Sequence, residues 1–442
     1  MLGLLSISLF CLGFLSFFTK NKHLTLIVIF ILSSSYFKLV SGFFHIGNTT
    51  LQHGDLALLL IFALIPFRAR TQEKELNEIK KALIVFFLFL GISIFYDYTI
   101  RGTSLMQIFR TTRSLGYLLF FILISSFNFY HYKKLFKFLI ITTTIHAVAY
   151  ISQYVFGYSY TSNLDELKVI TSNEFGGARY TNGPTYLIPV IILSIYFIRD
   201  KIKLFSLLSV LSMTIILGQS RGVVISGLCI LFSYLVFNKK MKIFSFLKAF
   251  ASISIVFILL IYFFPIIGER FNLLQNEISI INGLNYDRLE YFSQKGSFIF
   301  RLGLTYERFM YVVEDGMRML LGVGFVPDMD ITKPIFILGT HSPMLPTGFE
   351  QYNSIDIFFP NIITRYGLLG SIIYMIIILK IVSFSYLNRK LVFGKILFIY
   401  LISLSVISLI NETFYNGQYF IFIYVLIALL VSEKNHKLNY LT

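Results

Sequence analysis

Arginine sets the chemistry available to this chain. Its guanidinium is a planar, permanently charged fork that meets phosphate oxygens two at a time, whereas lysine is a hydrated point charge. The stretch richest in chemical side chains runs from Arg301 to Gly370. It opens with Arg301-Leu-Gly-Leu-Thr-Tyr-Glu-Arg308 and stops at Leu321-Gly-Val-Gly-Phe325. A polar loop with His341 follows, then Asp356-Ile-Phe-Phe-Pro-Asn361 leads into Arg365-Tyr-Gly-Leu-Leu-Gly370. These residue types suit an anionic ligand held by arginines, with a carboxylate or imidazole nearby to accept a proton.

Each candidate also has a plainer reading. As a helix, the first segment puts Arg301, Thr305, Arg308 and Asp315 along one face, with Phe300, Leu304, Val312 and Met319 elsewhere. Such a helix lies on a membrane surface with its polar stripe facing a cleft, or is simply solvated, with pairs such as Glu314 and Arg318. Asp356 stands where the polar stretch re-enters an apolar one. Partial desolvation there favours a general base, while an N-cap role needs no chemistry at all. His341 is the alternative base. Arg221 sits in the turn Gly218-Gln-Ser-Arg-Gly222 between two apolar runs. A charge held that close to hydrocarbon costs about 2.5–3.5 kcal/mol by insertion scales, so it faces a cavity or a partner, or snorkels at a helix start.

The elements that position these residues are apolar. The chain of 442 residues is 56% hydrophobic and only 14% charged, well below the roughly one quarter charged of soluble domains. Many segments approach the roughly 20 apolar residues that cross a bilayer. The predicted fold is an all-α polytopic membrane protein of about 12–13 transmembrane helices with one large external loop containing short amphipathic helices. Residues 1–267 form spans one to ten, 268–356 the large loop, and 357–442 spans eleven to thirteen with a cytoplasmic tail. A fifth span is expected to end near Tyr130.

The net charge of +16 is explained by topology rather than by nucleic acid. Every second connection is short and lysine-rich, which places it in the cytoplasm. The opposite connections carry ten arginines, Arg101, Arg110, Arg113, Arg179, Arg221, Arg270, Arg288, Arg301, Arg308 and Arg318, against Lys168, Lys295 and Lys333. That bias favours a phosphate-bearing ligand, with headgroup anchoring as the plainer alternative. Cys11 and Cys229 are isolated within apolar runs, so neither a disulfide framework nor a metal site is expected. No phosphate-cradling GxxxxGK[ST] occurs, and no cofactor is expected.

Three stretches resemble the bacterial O-antigen polymerase and O-antigen ligase superfamily, whose polymerase branch is called Wzy. They are Arg179-Tyr-Thr-Asn-Gly-Pro184, the Ser220-Arg221-Gly222 turn, and Arg301 through Gly322-Val-Gly324 followed by Asp356 and Gly367-Leu-Leu-Gly370. The resemblance implies an enzyme acting on undecaprenyl-diphosphate-linked glycans at the outer face of the bacterial cytoplasmic membrane. It implies a metal-independent glycosyltransferase that joins one lipid-linked repeat to another, building O-antigen, capsule or exopolysaccharide. Ligases of the superfamily carry a histidine eleven residues before the first glycine of GxxG, and Asp356 holds that slot here. This departure favours polymerase over transfer to lipid A-core.

On this basis Asp356, Arg301 and Arg221 are expected to be catalytic, with His341 as the alternative base. Arg179, Arg288 and Arg308 are expected to bind substrate. Lipid-linked repeats, membrane lipid and, in the same pathway, a chain-length regulator and a flippase are the expected partners. A lipid-linked oligosaccharide flippase or other transporter is the rival from another class. It would show midplane charges and two related halves, and the sequence shows neither. Topology is directly testable. Cysteines introduced at Ser172 and Ser297 should react with an impermeant thiol reagent in intact cells, and one at Asn77 should not. Reaction at Asn77 with protection at Ser297 would invert the arrangement.

Overall fold

The computed structural model describes residues 2–38, 43–46, 49–68, 76–157, 170–172, 177–179, 183–218, 221–238, 255, 262, 297–325, 336, 338, 340–341, 349–350, 358–408, 414 and 417–436. Helices dominate. In chain order they are α1 (Leu2–Phe17), α2 (Lys22–Ser33), α3 (His53–Leu64), α4 (Asn77–Thr99), α5 (Leu105–Thr112) and α6 (Phe129–Phe156). There follow α7 (Leu187–Phe197), α8 (Lys201–Leu217), α9 (Arg221–Asn238), α10 (Ser297–Val313) and α11 (Gly316–Leu321). The chain closes with α12 (Phe358–Leu387), α13 (Val392–Ser408) and α14 (Gly417–His436). Among the described residues there are three two-stranded antiparallel sheets, the first of them Phe43–Ile46 with Thr49–Gln52.

Among the described residues, α4, α6 and α12 are long and apolar enough to span a membrane. Their outward faces are apolar, with Leu88 64%, Ile92 62% and Val155 71% exposed. A surface of that kind belongs against lipid rather than water. Their inward faces are close-packed: Phe86 of α4 meets Tyr374 of α12, with ring centroids 5.3 Å apart. Six further apolar helical segments are 10–17 residues long, shorter than a full crossing.

The centre is α14. Every residue from Phe420 to Ile427 is buried, so this helix has no polar face and can only lie inside the bundle. It packs against α13 and against the segment that follows α5. The sequence predicts a fifth apolar span there in the ordinary helical form. Instead it is a short α5 continuing as 3₁₀ helix over Arg113–Ile122 and Ile124–Ser126. The reason is visible in its burial. Leu115, Leu118, Phe121 and Ile124 form one buried row and Tyr117, Phe120 and Leu123 a second, while Gly116, Leu119 and Ile122 stay partly open. A 3₁₀ helix repeats every three residues, so it can keep both rows turned inward while it packs on α14 and α3.

Local chemistry sets the ends of elements. The Asn128 side chain accepts from the His131 N–H and starts α6, and Gly157 in the left-handed region ends it. Asp200 caps α8 through two backbone N–H groups. The start of α13 borrows its cap from α14: the Glu433 carboxylate accepts from the N–H groups of Val392 and Phe393, both at 2.9 Å. Replacing this residue, Glu433→Ala, leaves two helix-end donors without that acceptor. The expected loss is about 0.5–2 kcal/mol, read as a lower unfolding temperature in detergent, with Glu433→Gln intermediate. An unchanged temperature for the alanine variant would show that the cap contributes nothing.

Candidate functional site

The third stretch singled out by its motifs closes on itself at one end of the bundle. Helix α10 packs along α12, and α11 packs against the same helix. Asp315 does not extend the polar face of α10, as the spacing predicts. The helix ends at Val313, and the Asp315 side chain turns to cap α11 through the Arg318 N–H at 2.7 Å. The expected Glu314–Arg318 pair is replaced as well. The Arg318 guanidinium lies 3.9 Å from Asp315 and 4.0 Å from the Tyr311 ring centroid.

Beyond α11 the Gly322-Val-Gly324 turn is held from three sides. From α4, the Asp97 carboxylate accepts the Phe325 N–H at 2.5 Å and the Arg101 guanidinium at 2.7 Å. The second fork nitrogen of Arg101 donates to the Gly322 carbonyl at 2.7 Å. From α5, the Thr111 hydroxyl donates to the Phe325 carbonyl at 3.2 Å. From α12, the Thr364 carbonyl accepts the Val323 N–H at 2.7 Å. Gly322 and Gly324 have φ of +72° and +99°, a region that favours glycine. A Cβ on Gly324 would fall 2.3 Å from both the Arg101 and Asp97 side chains, and one on Gly322 2.5 Å from the Arg365 carbonyl.

Helix α12 answers this turn with a break. Gly367 has φ +65° and ψ −173°, so the helix stops and restarts there. A Cβ at Gly367 would lie 2.6 Å from the Met319 carbonyl, which explains the glycine at that close approach. One turn before the break, Asn361 and Arg365 are buried together, with the Arg365 Nε donating to the Asn361 amide oxygen at 2.8 Å.

A second carboxylate–arginine pair lies at the same end. Asp55, in the first turn of α3, accepts the Gln52 N–H at 2.9 Å and faces the Arg113 guanidinium at 3.4 Å. Beside it, the buried His53 meets the Ser6 hydroxyl at 2.9 Å, and the Tyr36 hydroxyl meets Ser6 at 2.7 Å. Thr111 reaches the glycine turn while Arg113 reaches Asp55, so one short segment ties the two pairs together.

The expected site residues distribute unevenly. Arg301 lies in the first half of α10, partly buried. Arg308 turns inward: it pairs with Glu307 at 2.7 Å, donates to the Leu338 carbonyl at 3.0 Å and lies over the Phe336 ring at 4.3 Å. Glu307 accepts the Leu338 N–H in return. The two side chains thus grip both backbone groups of Leu338. Arg221 begins α9, which packs on α13, and Arg179 ends the strand Gly177–Arg179, opposite Ile170. His341 lies in a short strand opposite Phe349. Asp356 and Arg288 lie outside the described residues.

Asp55, Asp97, Asn361 and Arg365 were not singled out from the sequence as site residues. The signal for Asp97 is its spacing of four from Arg101 at the end of an apolar run, a spacing that pairs side chains on one helix face. Among the described residues, no group of three or more His, Cys, Asp or Glu is placed to hold a metal ion. No family model matches the sequence, and a search of curated proteins finds no match.

The arrangement makes the glycine turn testable. Gly324→Ala should destabilise by at least about 1–2 kcal/mol from the left-handed backbone alone, before any clash with Asp97. Gly316→Ala, where a Cβ meets nothing within 4 Å, serves as the control and should be near neutral. Thermal unfolding in detergent reads both. Equal stability of the two variants would remove the turn's role as an anchor.

Proposed function

We propose that this chain is a polysaccharide polymerase of the O-antigen polymerase type, joining glycan repeats carried on undecaprenyl diphosphate. In this reading it is a polytopic protein of the bacterial cytoplasmic membrane with about 12–13 spans, and its active face is external. The observation that carries the proposal is the docking of Arg301–Phe325 onto the head of α12. It brings together two segments of the resemblance that are separated in sequence, and it does so beside Arg101, Arg318 and Arg365.

In the proposed reaction a hydroxyl of the acceptor glycan attacks the anomeric carbon of the donor. The bond from that carbon to the diphosphate breaks, and the lipid diphosphate leaves with the electron pair. Arg301, Arg221 and Arg179 bear on the charge that develops on the leaving group, together with Arg288. Asp356 accepts the hydroxyl proton. Arg308 acts through the polypeptide it grips rather than on the substrate, because its two terminal nitrogens are hydrogen-bonded to Glu307 and Leu338.

The test is polymerisation by purified enzyme with defined lipid-linked repeats. Arg179→Ala, Arg221→Ala and Arg301→Ala should each strongly reduce polymer at normal membrane abundance. Asp356→Asn should lower turnover by roughly 10²- to 10⁴-fold, the usual contribution of a general base. Any cap supplied by Asp356 would be retained, because asparagine caps about as well as aspartate. If Asp356→Asn turns over normally while His341→Ala is inactive, the base is His341. Full activity of a triple arginine-to-alanine variant would exclude the clamp.

A further inference from the structure

Among the described residues, Arg365 is a charge without a counter-charge. It is 8% exposed, and it lies in the first half of α12, a helix long and apolar enough to span a membrane. Its Nε is fixed by the Asn361 amide oxygen at 2.8 Å, and no carboxylate among the described residues pairs with it. The other arginines bonded around this end differ. Arg101, Arg113, Arg308 and Arg318 each have Asp97, Asp55, Glu307 or Asp315 within 4 Å. A buried cation at membrane depth is costly unless an anion or a polar cavity meets it.

The backbone beside Arg365 points the same way. Because α12 breaks at Gly367, its second half begins a new helix inside the span, and the Thr364 carbonyl just before the break accepts the Val323 N–H instead of serving a straight helix. In sequence that restart comes two residues after Arg365, whose Nε is turned back to Asn361. Paired half-helix ends and buried cations are how membrane proteins hold anionic groups away from water. Asn361 orients the fork, since one bond at Nε fixes the plane and leaves the Nη edge for a ligand.

We propose that Arg365, oriented by Asn361, receives a phosphate-bearing anion at the break in α12, and that the anion is the diphosphate of the lipid carrier. The assignment of the diphosphate rests on the polymerase reading; the anion site does not. Arg365 is then a substrate-positioning residue in the wall of the site.

The experiment is calorimetric titration of the full chain in phosphatidylcholine nanodiscs with a short-chain isoprenyl diphosphate, inorganic pyrophosphate and the matching isoprenyl alcohol. The diphosphates should bind and the alcohol should not. Arg365→Gln should weaken both diphosphates by about tenfold or more, the scale of losing one charge-assisted hydrogen-bonding group. Arg365→Lys keeps the charge but not the fork, so it should fold even if glutamine does not, and should bind more weakly than the parent. Asn361→Ala should weaken binding less than Arg365→Gln. Unchanged affinity in correctly folded Arg365→Lys and Asn361→Ala would overturn the site. So would the absence of pyrophosphate binding to the parent protein.

Nanodiscs containing phosphatidylglycerol separate the two sources of phosphate. Equal competition by that headgroup would overturn the diphosphate assignment; persistence of isoprenyl diphosphate binding supports it. The outcome is independent of polymer formation. An enzyme that polymerises while its Arg365 variants bind normally loses only this inference. A chain that binds diphosphate through Arg365 yet makes no polymer loses the polymerase reading and the carrier assignment that rests on it, and keeps the anion site.

Discussion

The contact on which this end of the molecule depends is the Asp97 carboxylate with its two donors. It is 2% exposed as a side chain, and it receives one charged donor from its own helix and one backbone N–H from Phe325. A carboxylate that far from water is tolerated only when both oxygens are engaged, and losing one partner of such a pair costs about 3–5 kcal/mol. The pair therefore does two things at once. It neutralises a charge at the end of α4, and it fixes a turn more than two hundred residues later. The Arg101 fork completes the closure by reaching the Gly322 carbonyl. Without that anchor the turn after α11 would keep only the Thr111 and Thr364 hydrogen bonds and side-chain packing to place it.

The same turn is shaped from the opposite side by α12. A straight helix would present its own saturated backbone to α11 and leave the Val323 N–H without an acceptor. The break at Gly367 changes this: Thr364 offers its carbonyl outward, and the missing Cβ lets the Met319 carbonyl approach. Three glycines at positive φ, Gly322, Gly324 and Gly367, are thus one device read on two elements. Ser371 steadies the restart by donating to the Gly367 carbonyl at 2.6 Å. Irregular backbone in such a helix persists where other groups meet it, as the Val323 N–H meets the Thr364 carbonyl.

How much of this was legible depended on whether a pattern had contrast. The helical class and the apolar faces followed from composition, and the helix ending at Leu217 and the helix beginning at Arg221 followed from a short polar interruption. The 3₁₀ segment was not legible. Leu115 to Ile124 is apolar almost throughout, so a period of three and a period of 3.6 leave the same sequence; only burial against α14 distinguishes them. Asp315 misled for a different reason. Its spacing fits the face of α10, but aspartate also starts helices, and here it caps α11. In the site, the individual arginines were visible while their partners were not. Leu338, which Arg308 grips by its backbone, has no side chain that announces the contact.

The arginines at this end therefore divide by what meets them. Arg101 and Arg308 have acid partners and backbone carbonyls, and the geometry they hold is that of the protein itself. Each fork already donates to an acid and to a backbone carbonyl, which makes them determinants of where other cations sit. Arg365 stands between the turn they secure and the half-helix that follows. A diphosphate approaching from the membrane surface would meet a cation whose plane is set by Asn361 and whose depth is set by the Asp97 anchor. Preorganised donors of that kind need not reorganise when charge moves onto a leaving group, which is the condition under which electrostatic stabilisation is largest. Acid partners for the anchoring arginines, and none described for Arg365, are the division that such a site requires.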